Sequence, residues 1–214
     1  MAYRQTPAVQ ARLEDTRNRI LKAARSLISE GGWQQAQVAS VAHVAGIATG
    51  TVYRYFASKA ELFAEVLSMV SQREVDVITA IADAEGLAST RLHAAVKTFV
   101  KRALRNPRLA YALIAEPCEP EIDAARLTYR AALSKAIKTL IIQGQEAGEF
   151  HSDVDTNIAA SVIVGGFMEG LIGPLSPLHH TQQHEQSNHA EGVVEQIATQ
   201  TCRSVRLSLL SEET

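Results

Sequence analysis

Apolar residues recur at spacings of three and four along most of the chain, the period of helices with one buried face. Ile20, Leu21, Ala24, Leu27 and Ile28 form such a stripe. They predict a helix over about 11–30, ended by Gly31-Gly32. Val38, Val41 and Ala42 begin a second run, which Ala45-Gly46-Ile47 breaks, and a third starts at Thr49 and reaches Phe56. Ser58 with Glu61 three residues on reads as a capping box. It opens a long helix over about 58–84 that carries Leu62, Phe63, Val66, Leu67, Val70, Val75, Ile78 and Ile81. Leu92, Val96, Phe99, Val100 and Leu104 predict a helix over about 89–105, and Leu109, Tyr111, Ala112 and Ile114 a short one after Asn106-Pro107. Pro117 and Pro120 oppose its continuation. Ile122, Leu127, Leu133, Ile137, Leu140 and Ile141 mark a further helix over about 121–147. No segment alternates with the two-residue period of a strand, so the fold class is all-α.

The last two runs differ in kind. The helix expected over about 155–172 is apolar or small on all sides, from Ile158 through Gly165-Gly166 to Met168. A helix apolar all round must be buried all round. For an outer helix of a small body this means meeting a second subunit, with Gly165 and Gly166 allowing close approach. A polar connection with Pro174 and Pro177 follows, then a helix over about 190–210 with Val193, Val194, Ile197, Val205 and Leu209 on one stripe. Pairing the two gives a four-helix dimer bundle. Val162, Gly165, Gly166, Val194 and Ile197 are the expected interface residues.

The segment 38–56 organises the rest. Gly46 is the turn residue, since only glycine takes a positive φ without steric cost. Ala42 is small where two helices must approach, and Ile47 and Val52 fill the angle between them. This is the helix-turn-helix pattern. Charge sharpens it. The whole chain carries only −2, but residues 1–60 hold Arg4, Arg12, Arg17, Arg19, Lys22, Arg25, Arg54 and Lys59 against Glu14, Asp15 and Glu30. The head is thus +5 and the remainder −7, which focuses an attractive field where DNA would sit.

Gly31-Gly32-Trp33 before the motif and GTVYRYFASKAELF, residues 50–63, after it resemble the N-terminal domain of TetR/AcrR-family transcriptional regulators. The resemblance at motif level covers about 12–67. Two positions depart from that family's pattern. Ala36 and Gln37 stand where Thr usually caps the second helix, and Ala48 where Ser usually opens the recognition helix, leaving Thr49 to cap one residue later. The resemblance implies a head of three helices over 1–57 (motif 37–56) and a regulatory, effector-binding and dimerisation domain over 58–214. It implies a double-stranded DNA operator, a small-molecule effector and a homodimer as partners, with no cofactor and no membrane. Candidate DNA contacts are Gln37, Thr49, Gly50, Thr51, Tyr53, Arg54, Tyr55 and Lys59. Hydroxyls and a helix start suit phosphate oxygens, and Arg54 can reach a base edge. Phe99, Tyr111, Tyr129 and Phe167 lie on helices that, by resemblance, surround the effector. Arg126 and Arg130 can meet an anionic group, or Arg126 pairs with Asp123 or Glu119.

Other chemistry finds little support. Cys118 and Cys202 are far apart with no CxxC, which argues against a disulfide framework or a thiolate metal site. Acidic neighbours Glu116 and Glu119 work against a reactive thiolate at Cys118. His180 and His184 have an i, i+4 spacing that suits zinc, but the stretch from His179 to His189 reads as a polar loop. There is no phosphate-binding glycine loop and no catalytic grouping. The N-terminus lacks an apolar core, and the run 158–172 is too short to span a membrane. The expected protein is a cytoplasmic, ligand-responsive repressor. The other reading is a small-molecule-binding protein or enzyme that keeps a non-functional helix-turn-helix head.

Overall fold

A computed structural model describes residues 6–177 and 186–204. The described residues form helices and connecting turns, without a strand. The helices are α1 (Pro7–Gln35), α2 (Val38–Ala45), α3 (Thr49–Val52), α4 (Lys59–Ala82), α5 (Ala88–Arg105), α6 (Pro107–Ile114), α7 (Pro120–Glu146), α8 (Thr156–Leu175) and α9 (Gln186–Ser204).

Two apolar clusters divide the interior. The first gathers Ile20, Ala24 and Ile28 of α1, Val41 and Ala42 of α2, Val52, Phe56 and the first half of α4. It reaches past residue 57, because Leu109 and Ala112 of α6 and Ile122 of α7 complete it. The second gathers the end of α4 with α5, α7, α8 and α9 around Phe99, Leu133, Ile137, Ile163 and Phe167. The two halves of α4 therefore bury residues in different clusters: Leu62, Phe63, Val66 and Leu67 in the first, Ile78 and Ala82 in the second.

Several element ends depart from the sequence pattern. α1 passes Gly31 and kinks at Gly32 (φ 73°, ψ −164°) before ending at Gln35. Only glycine suits that conformation, and a Cβ there would overlap the Arg108 guanidinium. α3 is a single turn. Beyond Val52 the chain tightens, with the Arg54 and Tyr55 N–H groups bonding three residues back to Thr51 and Val52. Leu127, expected inside, is exposed on α7. The apolar run of α8 extends to 20 residues, which is long and apolar enough to cross a membrane by composition, but its inner face is buried within this chain.

α8 resolves into two faces. Ala160, Ile163, Val164, Phe167 and Leu171 are buried against the body, whereas Ile158 is 65% and Val162 45% exposed. Gly165 faces open space. The other three expected interface residues take part in packing within the protomer. A Cβ on Gly166 would stand 3.2 Å from Thr201 of α9 in the same chain. Val194 is buried in the protomer's own core and Ile197 packs against it. The reason is geometric: α9 lies across α8 and α5, so the apolar stripe of α9 turns inward. Of the other α9 residues on the expected stripe, Val205 and Leu209 lie outside the described residues.

Candidate nucleic-acid interface and body cavity

The head is fixed from several directions. Gly46 ends α2 in the left-handed conformation (φ 67°, ψ 38°), and its N–H and that of Ile47 bond back to His43 and Ala42 at 3.0 Å each. Arg19 donates to the Ala45 carbonyl, adding a cation at that helix end. Arg17 pairs with Glu65 of α4 and stands 5.2 Å from the centre of the Phe56 ring. Two of the basic residues that made the head positive are thus part of its scaffold.

α2 and α3 both lack a side-chain cap: Gln37 and Ala48 occupy the cap positions without such a bond, and Thr49 is the first helical residue rather than a cap. Gln37 is exposed and donates to the Gln34 carbonyl at 2.6 Å. Thr49, Gly50, Tyr53 and Arg54 are exposed together, and Thr51 is half-buried. Tyr53 is 51% exposed. Tyr55 differs, packing half-buried against the head core. Gly50 faces open space, so no contact among the described residues requires a glycine there. Lys59 lies at the first turn of α4, 3.8 Å from Glu119 and 5.4 Å from the Phe63 ring centre. One half of the expected capping box is present, with Ser58 Oγ accepting from the Glu61 N–H at 3.0 Å; the Glu61 carboxylate reaches one residue further back and accepts from the Ala57 N–H at 2.6 Å instead of from Ser58.

A joint ties this head to α6. Trp33 Nε1 donates to the Ala112 carbonyl at 2.8 Å, and the indole lies 5.5 Å from the Phe63 ring. Arg108 donates to Gly31 O at 2.8 Å and holds Glu116 with two bonds at 2.7 and 3.0 Å. Glu116 in turn accepts from the Trp33 N–H at 3.3 Å. In the sequence Trp33 stood out only as part of the Gly31-Gly32-Trp33 flank of the motif. No local pattern announces a partner so far along the chain.

A cavity of about 240 Å³ lies between α4, α5, α6 and α7, reaching Arg25 of α1 and Met168 of α8. Leu67, Val70, Leu109, Leu113 and Leu133 line it, with Phe99 and Tyr129 of the expected aromatic set. Phe167 stands behind Phe99, ring centres 4.7 Å apart, and Tyr111 packs under Arg108 at 6.0 Å. Neither is part of the lining. The wall also carries charge the sequence only partly disclosed. Arg102 grips Glu74 through two bonds of 2.6 and 2.7 Å, which hold the guanidinium charged against its burial. Arg126 pairs with Asp123 at 2.7 Å, as its spacing suggested, and also donates to the Ala112, Leu113 and Glu116 carbonyls at the end of α6. Arg25 and Arg105 belong to the wall too. In the sequence Arg25 counted only toward the head's charge and Arg105 did not stand out, because nothing local links α1 to the last turn of α5.

Among the described residues no His, Cys, Asp and Glu grouping suits a metal ion. The His179, His180 and His184 positions lie outside the described residues, as does the side chain of His189.

Comparison with known proteins matches both parts of the chain to one family. Residues 20–66 match the family described as bacterial regulatory proteins, tetR family, and residues 85–169 match the tetracyclin repressor-like C-terminal domain. The chain is 37% identical over 103 residues to the HTH-type transcriptional repressor KstR of Mycolicibacterium smegmatis, 46% of this chain and 48% of that one. It therefore spans about half the length of that relative in the match. It is 22% identical over 190 residues to the HTH-type transcriptional regulator UidR of Escherichia coli, covering 86% of this chain and 92% of UidR. The fold is shared with the transcriptional regulator FadR of Bacillus subtilis, solved in complex with stearoyl-CoA, at a TM-score of 0.70, 20% identity, and coverage of 85% and 97%. With a tetR-type head and a tetracyclin-repressor-like body matched in order along one helical fold, the chain belongs to the TetR family of bacterial regulatory proteins.

Proposed function

We propose that this protein is a cytoplasmic transcriptional repressor that leaves its DNA operator when a small apolar or amphipathic molecule fills the body cavity. The observation that carries the reading is the exposed turn from Thr49 to Arg54, lying inside the stretch that matches the tetR-type head. An exposed tyrosine, a glycine facing open space and an arginine with no ion pair among the described residues suit a surface completed by a partner. Thr49, Gly50, Thr51, Tyr53, Arg54, Lys59 and the flanking Gln37 are the assigned contacts, with Tyr55 supporting them from the head core. Similarity to the KstR repressor supports the repressing sense, and a fold neighbour that holds stearoyl-CoA supports an amphipathic effector. The effector acts only through different affinity for the two states of the protein. The family acts as dimers, and the uncovered apolar face of α8 is the surface we assign to the second subunit, through Val162 and Gly165 with Ile158 beside them.

The test is DNA affinity against salt. Binding that neutralises phosphates weakens steeply as salt rises. Lys59→Ala should weaken all duplexes alike and lower the salt slope by about one unit. Tyr53→Phe should also act on all sequences, while Arg54→Ala should relax sequence preference. Unchanged affinity in all three variants would remove the assignment.

A further inference from the structure

The cavity wall holds five arginines, Arg25, Arg102, Arg105, Arg126 and Arg130, against one carboxylate, Glu74. Their states differ. Arg102 is neutralised by Glu74 through a two-bond grip. Arg126 is committed to Asp123 and to three carbonyls at the end of α6. For Arg25, Arg105 and Arg130 there is no carboxylate partner among the described residues; Arg130 makes one bond, to Ile114 O at 3.3 Å. All three are exposed while forming part of the lining, so they stand where the cavity meets solvent. Deeper residues are apolar: Phe99, Ala110, Leu133 and Met168.

We infer that the effector is an aliphatic molecule with an anionic head group. Its tail lies on Phe99, Leu133 and Met168, and its anion is held by Arg25, Arg105 and Arg130. Three cationic side chains on one wall without a carboxylate partner among the described residues favour an anion, which gains charge-assisted bonds from them. The volume, about 240 Å³, falls below the ~300–1,000 Å³ usual for ligand pockets, which suits a slender chain. Arg25 gives the site its consequence. It belongs to α1 of the head, whereas Arg105 and Arg130 belong to α5 and α7. An anion shared by the three ties head to body directly, which is the differential contact that a change of state requires. This inference rests on the ligand-responsive reading above and adds the chemistry of the ligand to it.

The experiment is calorimetric titration of the full chain with three probes below their micellar concentrations: sodium dodecanoate, dodecanoyl-CoA and dodecanol. At least one anion should bind ten times or more tighter than the alcohol. Which anion wins separates a free carboxylate from a phosphorylated thioester. Arg25→Gln, Arg105→Gln and Arg130→Gln should each weaken that anion by about tenfold, the loss of one charge-assisted bond. Retained dodecanol binding in the variants reports an intact cavity. Equal affinity for alcohol and anions, no binding of either anion, or variants that keep full anion affinity would overturn the inference. Operator binding without any probe, measured on the same preparation, fails independently if the DNA reading is wrong.

Discussion

Glu149 shows how a single side chain can hold a helix from across the chain. α5 starts after Leu87, which offers no cap. Instead Glu149 accepts from the Ala88 and Ser89 N–H groups at 2.8 and 3.0 Å and from Ser89 Oγ at 2.9 Å. Desolvation pushes its carboxyl up, but these bonds and Arg91 outweigh it and hold it below the usual carboxylate range. A carboxylate lowered on folding stabilises above its unfolded pKa and loses that contribution as pH falls through the folded value. Glu149→Gln should therefore cost about 1 kcal/mol at pH 7, the usual loss of a cap. The deficit should shrink in urea unfolding below about pH 4, where the wild-type carboxyl takes up its proton too. An equal deficit at pH 7 and pH 3 would show that charge is not involved. Through-space partners of this kind are invisible to sequence spacing. Cys118 is an instructive near miss. Its acidic neighbours were legible, yet burial is the largest cause that pushes the thiol up to about 11; Arg126 opposes it, and Asp123, 3.4 Å away, adds to it.

Elements were legible where local chemistry decides them. The turn at Gly46, the cap at Ser58 and the stripes of α4 and α5 follow from residues within a turn or two of each other. The inward turn of α9 and the joint of Trp33 with α6 depend on packing, so periodicity gave only the stripe and not its destination. α4 is the element with the clearest mechanical role. Its first half belongs to the head cluster, its last turns to the body cluster, and Leu67, Val70, Ser71 and Glu74 line the cavity between. A stiff helix so placed can carry a tilt from cavity to head. Gln72→Gly tests this better than a change at Ser71, which is in the cavity wall. Gln72 is exposed and bonded to Asp76 at 2.8 Å. The change costs roughly 1 kcal/mol of helix stability. It should leave operator binding and effector binding near wild type while reducing the ratio of operator affinities without and with effector. An unchanged ratio would shift the route to α6, where Ala112 O accepts from both Trp33 and the cavity arginine Arg126.

At the scale of the molecule, the chain is a basic head and an acidic body sharing two apolar clusters, with an apolar face of α8 exposed among the described residues. The sequence disclosed that α8 is apolar all round but not which of its residues turn toward the protomer's own core. Gly166 serves the packing of α9, so a bulky residue there disrupts the protomer itself and is a poor probe of assembly. Val162 is the better one, since it is exposed in the single chain. A charge there stays in water in the monomer and is buried without a partner only in a dimer. A dimer reading two half-sites requires that assembly, since half-site spacing mirrors the two-fold axis. The most direct measurement is therefore selection of bound duplexes from a random pool by wild type and Val162→Glu, with stoichiometry and affinity determined on the recovered sequence. The expected result is an inverted repeat, saturation at an even number of protomers, and a loss of at least about tenfold in affinity for the variant. Recovery of no preferred sequence, or of a single half-site bound equally well by both proteins, would contradict it.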